Sequence, residues 1–178
     1  MTIHDEQTSA MQLIELSPES PLTLRAAGRE LLLEYGRFVI AQPGAARFCF
    51  GTLEQKAARL PLSYQEQNGG CLVAFVNDAP AGFVAWRALT PTEHVVPDAW
   101  EMKRLWVRPS ARGIGLGRML TQAVIDRAAM ARRRAIYLDT APESMAAAYR
   151  MYTKLGFTLI TAFNDNPVEN LAYMALFL

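Results

Sequence analysis

Apolar and polar positions along the chain fall into short stretches whose periods differ. Residues 11–16, MQLIEL, read as a short strand. The next segment, SPES, offers a helix start, and Leu24, Leu31, Leu32 and Tyr35 lie on one side of a helix running to about Ile40. Gln42 to Gly51 reads as a loop, and TLEQKAARL (52–60) as a second short helix stopped by Pro61. Asn68-Gly69-Gly70 is a turn. CLVAFV (71–76) and AGFVAWRAL (81–89) are β-rich runs flanking Asn77-Asp78-Ala79-Pro80, the pattern of a hairpin with a short loop.

AWEMKRLWV (99–107) alternates in part and ends before Pro109. After a glycine cluster, MLTQAVIDRAAMA reads as an amphipathic helix with Met119, Leu120, Ala123, Val124 and Ala128 facing inward. AIYLD (135–139) is the next strand, so residues 100–139 form a βαβ unit whose two strands should be parallel. Thr140-Ala141-Pro142-Glu143 has the spacing of a capping box with proline in the first turn. The helix it opens carries Met145, Ala148, Tyr149, Tyr152 and Leu155 on one stripe, with Gly156 as a left-handed cap. FTLITAF (157–163) and LAYMALFL (171–178) close the chain as strands around NDNPVEN. Without repeats or linkers, residues 1–178 read as one α/β domain.

Composition narrows the functions. With 178 residues, 51% hydrophobic and 20% charged, the chain has the apolar mass for a proper core, which excludes a disordered tail protein. The net charge of +1 supplies no global field for nucleic acid, an anionic membrane or an acidic partner, so any anion site must be local. Two cysteines, Cys49 and Cys71, make no multi-bridge framework, and the start MTIHDEQTSAMQ has no basic n-region or apolar h-region. A soluble protein of the reducing cytoplasm is expected. His4 and His94 are too few and too peripheral for a histidine-rich metal site or a Ser-His-Asp triad, so no metal is expected. No glycine precedes a lysine, which removes the phosphate loop of P-loop NTPases.

The richest chemical signal is Arg112-Gly113-Ile114-Gly115-Leu116-Gly117-Arg118, at a handover from strand to helix. Glycines there let the backbone approach a bulky anion, and the free N–H groups at the new helix's positive end attract it. Arg112 and Arg118 add donors suited to phosphate oxygens. A dinucleotide fingerprint would also come after a strand, with Asp139 as its acid. However, its third glycine falls on Arg118 or Leu120, and too little chain remains after Asp139 for the other strands.

Arg112-x-x-Gly115-x-Gly117 after a strand ending in Leu-x-Val resembles the acetyl-CoA pyrophosphate loop of the GNAT superfamily of N-acetyltransferases. Tyr152-Thr-Lys-Leu-Gly156-Phe157, on a helix that precedes a strand, resembles the same superfamily's Tyr-x-x-x-Gly-Phe signature. The resemblance covers residues 71–178: hairpin, acetyl-CoA-binding core and C-terminal strands. Residues 1–70 answer only as an N-terminal strand and acceptor-side helices. It implies a mixed, mostly antiparallel sheet with helices on both faces and a splay between the fourth and fifth strands, 100–107 and 135–139. One departure is Met145, where many members have an asparagine seven residues before the tyrosine.

Acetyl transfer to an amine of pKa about 10.4 requires the amine to lose its proton. Glu101, on the strand leading into the loop, is the candidate base, since the superfamily often uses a glutamate on this strand. The other reading is a strand carboxylate paired with Lys103. A neutral phenol can protonate the departing thiolate. The resemblance gives that task to Tyr152, with Tyr149 a core aromatic. It also implies that a backbone N–H near Val107 meets the oxyanion and that the Leu105 backbone pairs with pantetheine. Arg132-Arg133-Arg134 suits a helix's negative end, and Trp86, Trp100 and Trp106 belong to core or pocket wall.

The expected function is acetyl transfer from acetyl-CoA, as cosubstrate, to a primary amine. The expected partner is a small-molecule amine, with no nucleic acid and no membrane, and a homodimer is left open. Asp165 and Glu169, between the last two strands, would receive a cationic acceptor. The competing readings are a non-catalytic acyl-CoA sensor of the same fold, a protein N-terminal or lysine acetyltransferase, and a dinucleotide-binding domain.

Overall fold

The computed structural model describes residues 10–42, 50–166 and 168–178, so His4, Cys49 and Pro167 lie outside the described residues. Seven strands form one sheet: β1 (Met11–Glu15), β2 (Gly70–Val76), β3 (Ala79–Ala88), β4 (Ala99–Val107), β5 (Ala135–Thr140), β6 (Thr158–Leu159) and β7 (Ala172–Phe177). Their spatial order is β1-β2-β3-β4-β5-β7-β6, antiparallel throughout except for the parallel pair of β4 and β5. This is the mixed, mostly antiparallel sheet that the sequence resemblance implied.

Among the described residues five α-helices and a 3-10 turn at Pro109–Ala111 join it: α1 (Leu22–Ile40), α2 (Phe50–Ala58), α3 (Leu62–Gln65), α4 (Leu116–Met130) and α5 (Ala146–Lys154). Alternation along the strands sorts the core onto two faces. Cys71, Val73, Phe83 and Ala85 pack with Leu31 and Leu32 of α1, Leu53 of α2 and Tyr64 of α3. Leu72, Ala74, Val84 and Trp86 pack on the other face with Leu116, Leu120, Val124 and Ala128 of α4. Each fully buried leucine contributes about 1.5–3 kcal/mol by leaving water, so both helix layers are anchored by many such side chains.

The β2–β3 hairpin is tighter than the expected four-residue loop. Val76 pairs directly with Ala79, and Asn77 and Asp78 take φ of +48° and +64°. Two left-handed central residues match the right-handed twist of the flanking strands, which asparagine and aspartate tolerate better than most residues.

Four expectations are corrected. The capping box over 140–143 does not form: Thr140 ends β5, and Met145 is the N-cap of α5 without a side-chain cap bond. Pairing with β7 extends β5 through Thr140, which removes that side chain from any capping role. The strand over 157–163 shortens to Thr158–Leu159, because only those residues pair with β7. Of the loop over Gln42 to Gly51, residues 43–49 lie outside the described residues, and Phe50 and Gly51 belong to α2. The helix expected to run to Leu60 and stop at Pro61 ends earlier, at Ala58, and Leu62–Gln65 resume as a one-turn helix beyond the proline. Gly156, at φ +92°, is the left-handed residue expected after α5.

Candidate active site

The site begins with a defect in β4. Leu89 N–H donates to Ala99 O at 3.0 Å, so the Ala99 carbonyl faces β3, and the strand period carries this to Glu101 and Lys103. At the strand's end Arg108 N–H donates to Ala81 O at 2.9 Å, so there the even-numbered residues face β3. One residue has been inserted between. It is Arg104, at φ +62°, opposite a register shift between Phe83 and Ala85. A bulge of this kind reverses the facing of the residues beyond it. Trp100 and Met102 pack toward α4 before it, and Leu105 and Val107 do so after it.

The bulge therefore turns the backbones of Leu105 and Val107 away from β3, toward β5. But β5 is no longer there. The two strands pair only at Ala99–Ala135, Trp100–Ile136 and Glu101–Tyr137, and then part. A free strand edge is left open inside the molecule.

Next to that edge lies a cavity of about 420 Å³, lined by Leu105 and Val107, by Arg112, Gly113, Gly115, Leu116, Gly117 and Arg118, and by the start of α5 from Ser144 to Ala148. All but one of the expected cofactor contacts line it. Ile114 does not, and its side chain is exposed. Gly113 and Gly115 take φ of +84° and +88°, and a Cβ on either would meet nothing within 4 Å. The glycines meet a backbone requirement and leave the approach open. Gly115 is also the N-cap of α4, with no side chain bonded to the helix's first amides. Those donors, with the positive end of a 15-residue helix, form a cradle for an anion. The Arg112 side chain borders it, donating from Nε to Val107 O at 3.1 Å and lying over the Trp106 ring at 5.1 Å.

On the face opposite α4, Glu101 is 0% exposed, and cations hold both its oxygens. Lys103 Nζ lies 2.6 Å from Oε1 and Arg87 Nε 2.6 Å from Oε2. Burial alone would raise the pKa of this carboxyl, but Lys103 and Arg87 overcome that and hold it below the ordinary carboxylate value. The pairing with Lys103 that its strand position suggested is present. Asn164 Nδ2 also reaches Glu101 Oε1 at 3.3 Å and, across the splay, Asp139 Oδ2 at 3.1 Å.

Tyr152 is 5% exposed and packs with the α4-side core against Phe157, at 5.6 Å between ring centroids. Its hydroxyl has no hydrogen-bond partner among the described residues. Burial pushes the phenol well above its ordinary value, and Tyr35 and Asp139 add to the shift, so it stays protonated at neutral pH. Tyr149, on the same stripe, is half-buried against the core. Asp165 and Glu169 are exposed on the loop before β7. Asn164 and Asn166 of that loop are half-buried, and Asn164, which sequence reasoning did not single out, is the one that reaches Glu101 and Asp139.

Sequence reading also missed the wall supplied by α1. Tyr35 and Phe38 line the cavity, and Trp106 joins them. Glu34 fixes this wall, accepting from Arg108 Nη2 at 2.7 Å and from Trp106 Nε1 at 3.0 Å. No local pattern pairs residues more than 70 positions apart.

Residues 41–157 match the model of the acetyltransferase (GNAT) family. The chain belongs to that family. An uncharacterized N-acetyltransferase of Schizosaccharomyces pombe is 36% identical over 80 residues, 45% of this chain. The match spans 48% of that protein, about half of its length. The GNAT fold is matched over nearly the whole chain by an acetyltransferase from Streptococcus agalactiae, with TM-score 0.70 and 17% identity over 94% of this chain and 98% of that one. The PaiA N-acetyltransferase of Thermoplasma acidophilum, solved in complex with coenzyme A, gives TM-score 0.65 and 14% identity over 95% and 99%. Among the described residues no helix is long and apolar enough to cross a membrane.

Proposed function

We propose that this GNAT protein transfers an acetyl group from acetyl-CoA to the primary amine of a small molecule. The observation that carries the reading is the continuity between the glycine cradle at the start of α4 and the unpaired Leu105–Val107 edge, both bordering one cavity. The cradle's amides, with Arg112 and Arg118, would hold the pyrophosphate. The free strand edge would pair with pantetheine as an added strand does, and a Val107 amide would meet the carbonyl oxygen as charge develops on it.

Tyr152 supplies the proton that the sulfur needs as the C–S bond breaks, its hydroxyl being protonated and without a partner among the described residues. Glu101 contributes as a fixed anion that holds Lys103 and Arg87 in place on the acceptor side. We read the acceptor as a small molecule because a net charge of +1 offers no extended acidic surface for a basic peptide, and we take the cytoplasm as the setting. Release of free CoA from acetyl-CoA across a panel of primary amines and peptides tests the reading. Turnover with at least one small amine is expected. Binding of acetyl-CoA without CoA release in the presence of any amine would instead indicate a sensor.

A further inference from the structure

We propose that Asp139 accepts the proton lost by the attacking amine. The proposal rests on the acetyltransferase reading above and assigns the step that reading leaves open. Two carboxylates face the splay on the same side. Odd-numbered residues of β4 up to Lys103 and of β5 share the face opposite α4: Ala99, Ala135 and Tyr137 pack together there, while Ile136 and Leu138 point to the α4 side. Glu101 and Asp139 therefore project from the diverging strands toward one space, and Asn164 spans them with a single amide nitrogen.

Their surroundings differ. Lys103 and Asn164 occupy one oxygen of Glu101 and Arg87 the other. No cation lies within ion-pair distance of Asp139 among the described residues, and its one hydrogen bond is the Asn164 amide on Oδ2. Oδ1 has no hydrogen-bond partner there, and the residue is half-buried. A proton acceptor is best placed where its oxygen is not held by a cation; both oxygens of Glu101 are so held, and Asp139 Oδ1 has no donor among the described residues. The remaining charged or titratable neighbours are Lys103 and Arg87 around Glu101, Tyr152 from α5, and Tyr173 of β7 with Asp165. The Asp139 charge adds, after burial and Tyr35, to the upward shift of the Tyr152 phenol.

The step balances. An ammonium acceptor gives one proton to Asp139, and the freed lone pair forms the C–N bond. The C–S bond breaks, the sulfur takes the Tyr152 proton, and the second nitrogen proton restores the phenol. Asp139 releases its proton to water.

The test compares the full-length protein with Asp139→Asn at saturating acetyl-CoA, using ethylamine and the weakly basic 2,2,2-trifluoroethylamine. Asparagine keeps an oxygen for Asn164, so the fold and the acetyl-CoA Kd should stay unchanged. Should it fail to fold, Asp139→Ser is measured in its place. The ethylamine rate should fall on the order of 10²-fold, and the trifluoro analogue, already neutral, should lose less than about tenfold. Equal losses on both amines, or none, would overturn the assignment while leaving the acetyltransferase reading intact. If the unsubstituted protein releases no CoA with any amine, that reading itself fails, and the role of Asp139 falls with it.

Discussion

Lys103 Nζ stands 2.6 Å from Glu101 Oε1, two positions along the same strand and on the same face. Removing the anion leaves Lys103 and Arg87, whose side chains are 15% and 30% exposed, without their common partner. Breaking a fully buried pair costs about 3–5 kcal/mol, and the partial exposure of the cations reduces this to about 2 kcal/mol. Urea unfolding of Glu101→Gln should show that loss. Unchanged stability would mean that the cations find equivalent partners.

Acid should loosen the fold through two glutamates. Burial raises the Glu34 pKa, but its bonds to Arg108 and Trp106 more than reverse this, and Glu101 is likewise held below 4.5. A carboxyl with a lowered folded pKa contributes stability that is complete above its unfolded value and disappears as pH falls through the folded one. The melting temperature should therefore hold from neutrality to about pH 5 and fall below it. Glu34→Gln and Glu101→Gln should each flatten that fall, and a parallel decline in both variants would place the acid-sensitive groups elsewhere.

Gly115→Val should weaken acetyl-CoA binding at least about tenfold by calorimetry, because a β-branched residue resists φ of +88° and its Cβ would enter the open approach. Strain of about 1–2 kcal/mol should also lower stability. Arg112→Ala removes a guanidinium from the cavity wall and should cost about 1.5–3 kcal/mol of binding if it meets a phosphate. Affinities equal to the parent's in both variants would place the cofactor elsewhere.

Tyr152→Phe should leave the melting temperature and the acetyl-CoA Kd unchanged, because the lost hydroxyl has no partner among the described residues. Turnover should nevertheless fall on the order of 10²-fold. Normal turnover in steady-state assays would make Tyr152 a packing residue only.

The features legible in the chain are those that chemistry writes locally. The glycines at 113, 115 and 117 announce a loop that must admit an anion, and Asn77-Asp78 announces a tight hairpin. Glu101 and Lys103, two apart in an alternating run, can be seen to share a face. Arg87 and Asn164 cannot be matched to Glu101 in the same way, because cross-strand neighbours depend on register. The false capping box has a similar cause: Thr140 satisfies its local pattern, but pairing of β5 with Ala172 of β7 claims its backbone first. Asp139 reads locally only as a candidate ribose contact, since nothing near it in the chain reveals that β4 has turned away beside it.

The inserted Arg104 divides β4 into two lengths of opposite parity. Upstream, the odd positions 101 and 103 lie on the face opposite α4; downstream, the odd positions 105 and 107 border the cavity beside the glycine loop. On the proposed function, the two lengths of one strand thus serve two different molecules, the first through its side chains and the second through its backbone edge. Deleting Arg104 would restore a regular alternation in which Trp106 and Arg108 still face β3 and the edge of Leu105 and Val107 still faces the gap, so the bulge can be lost without closing that edge.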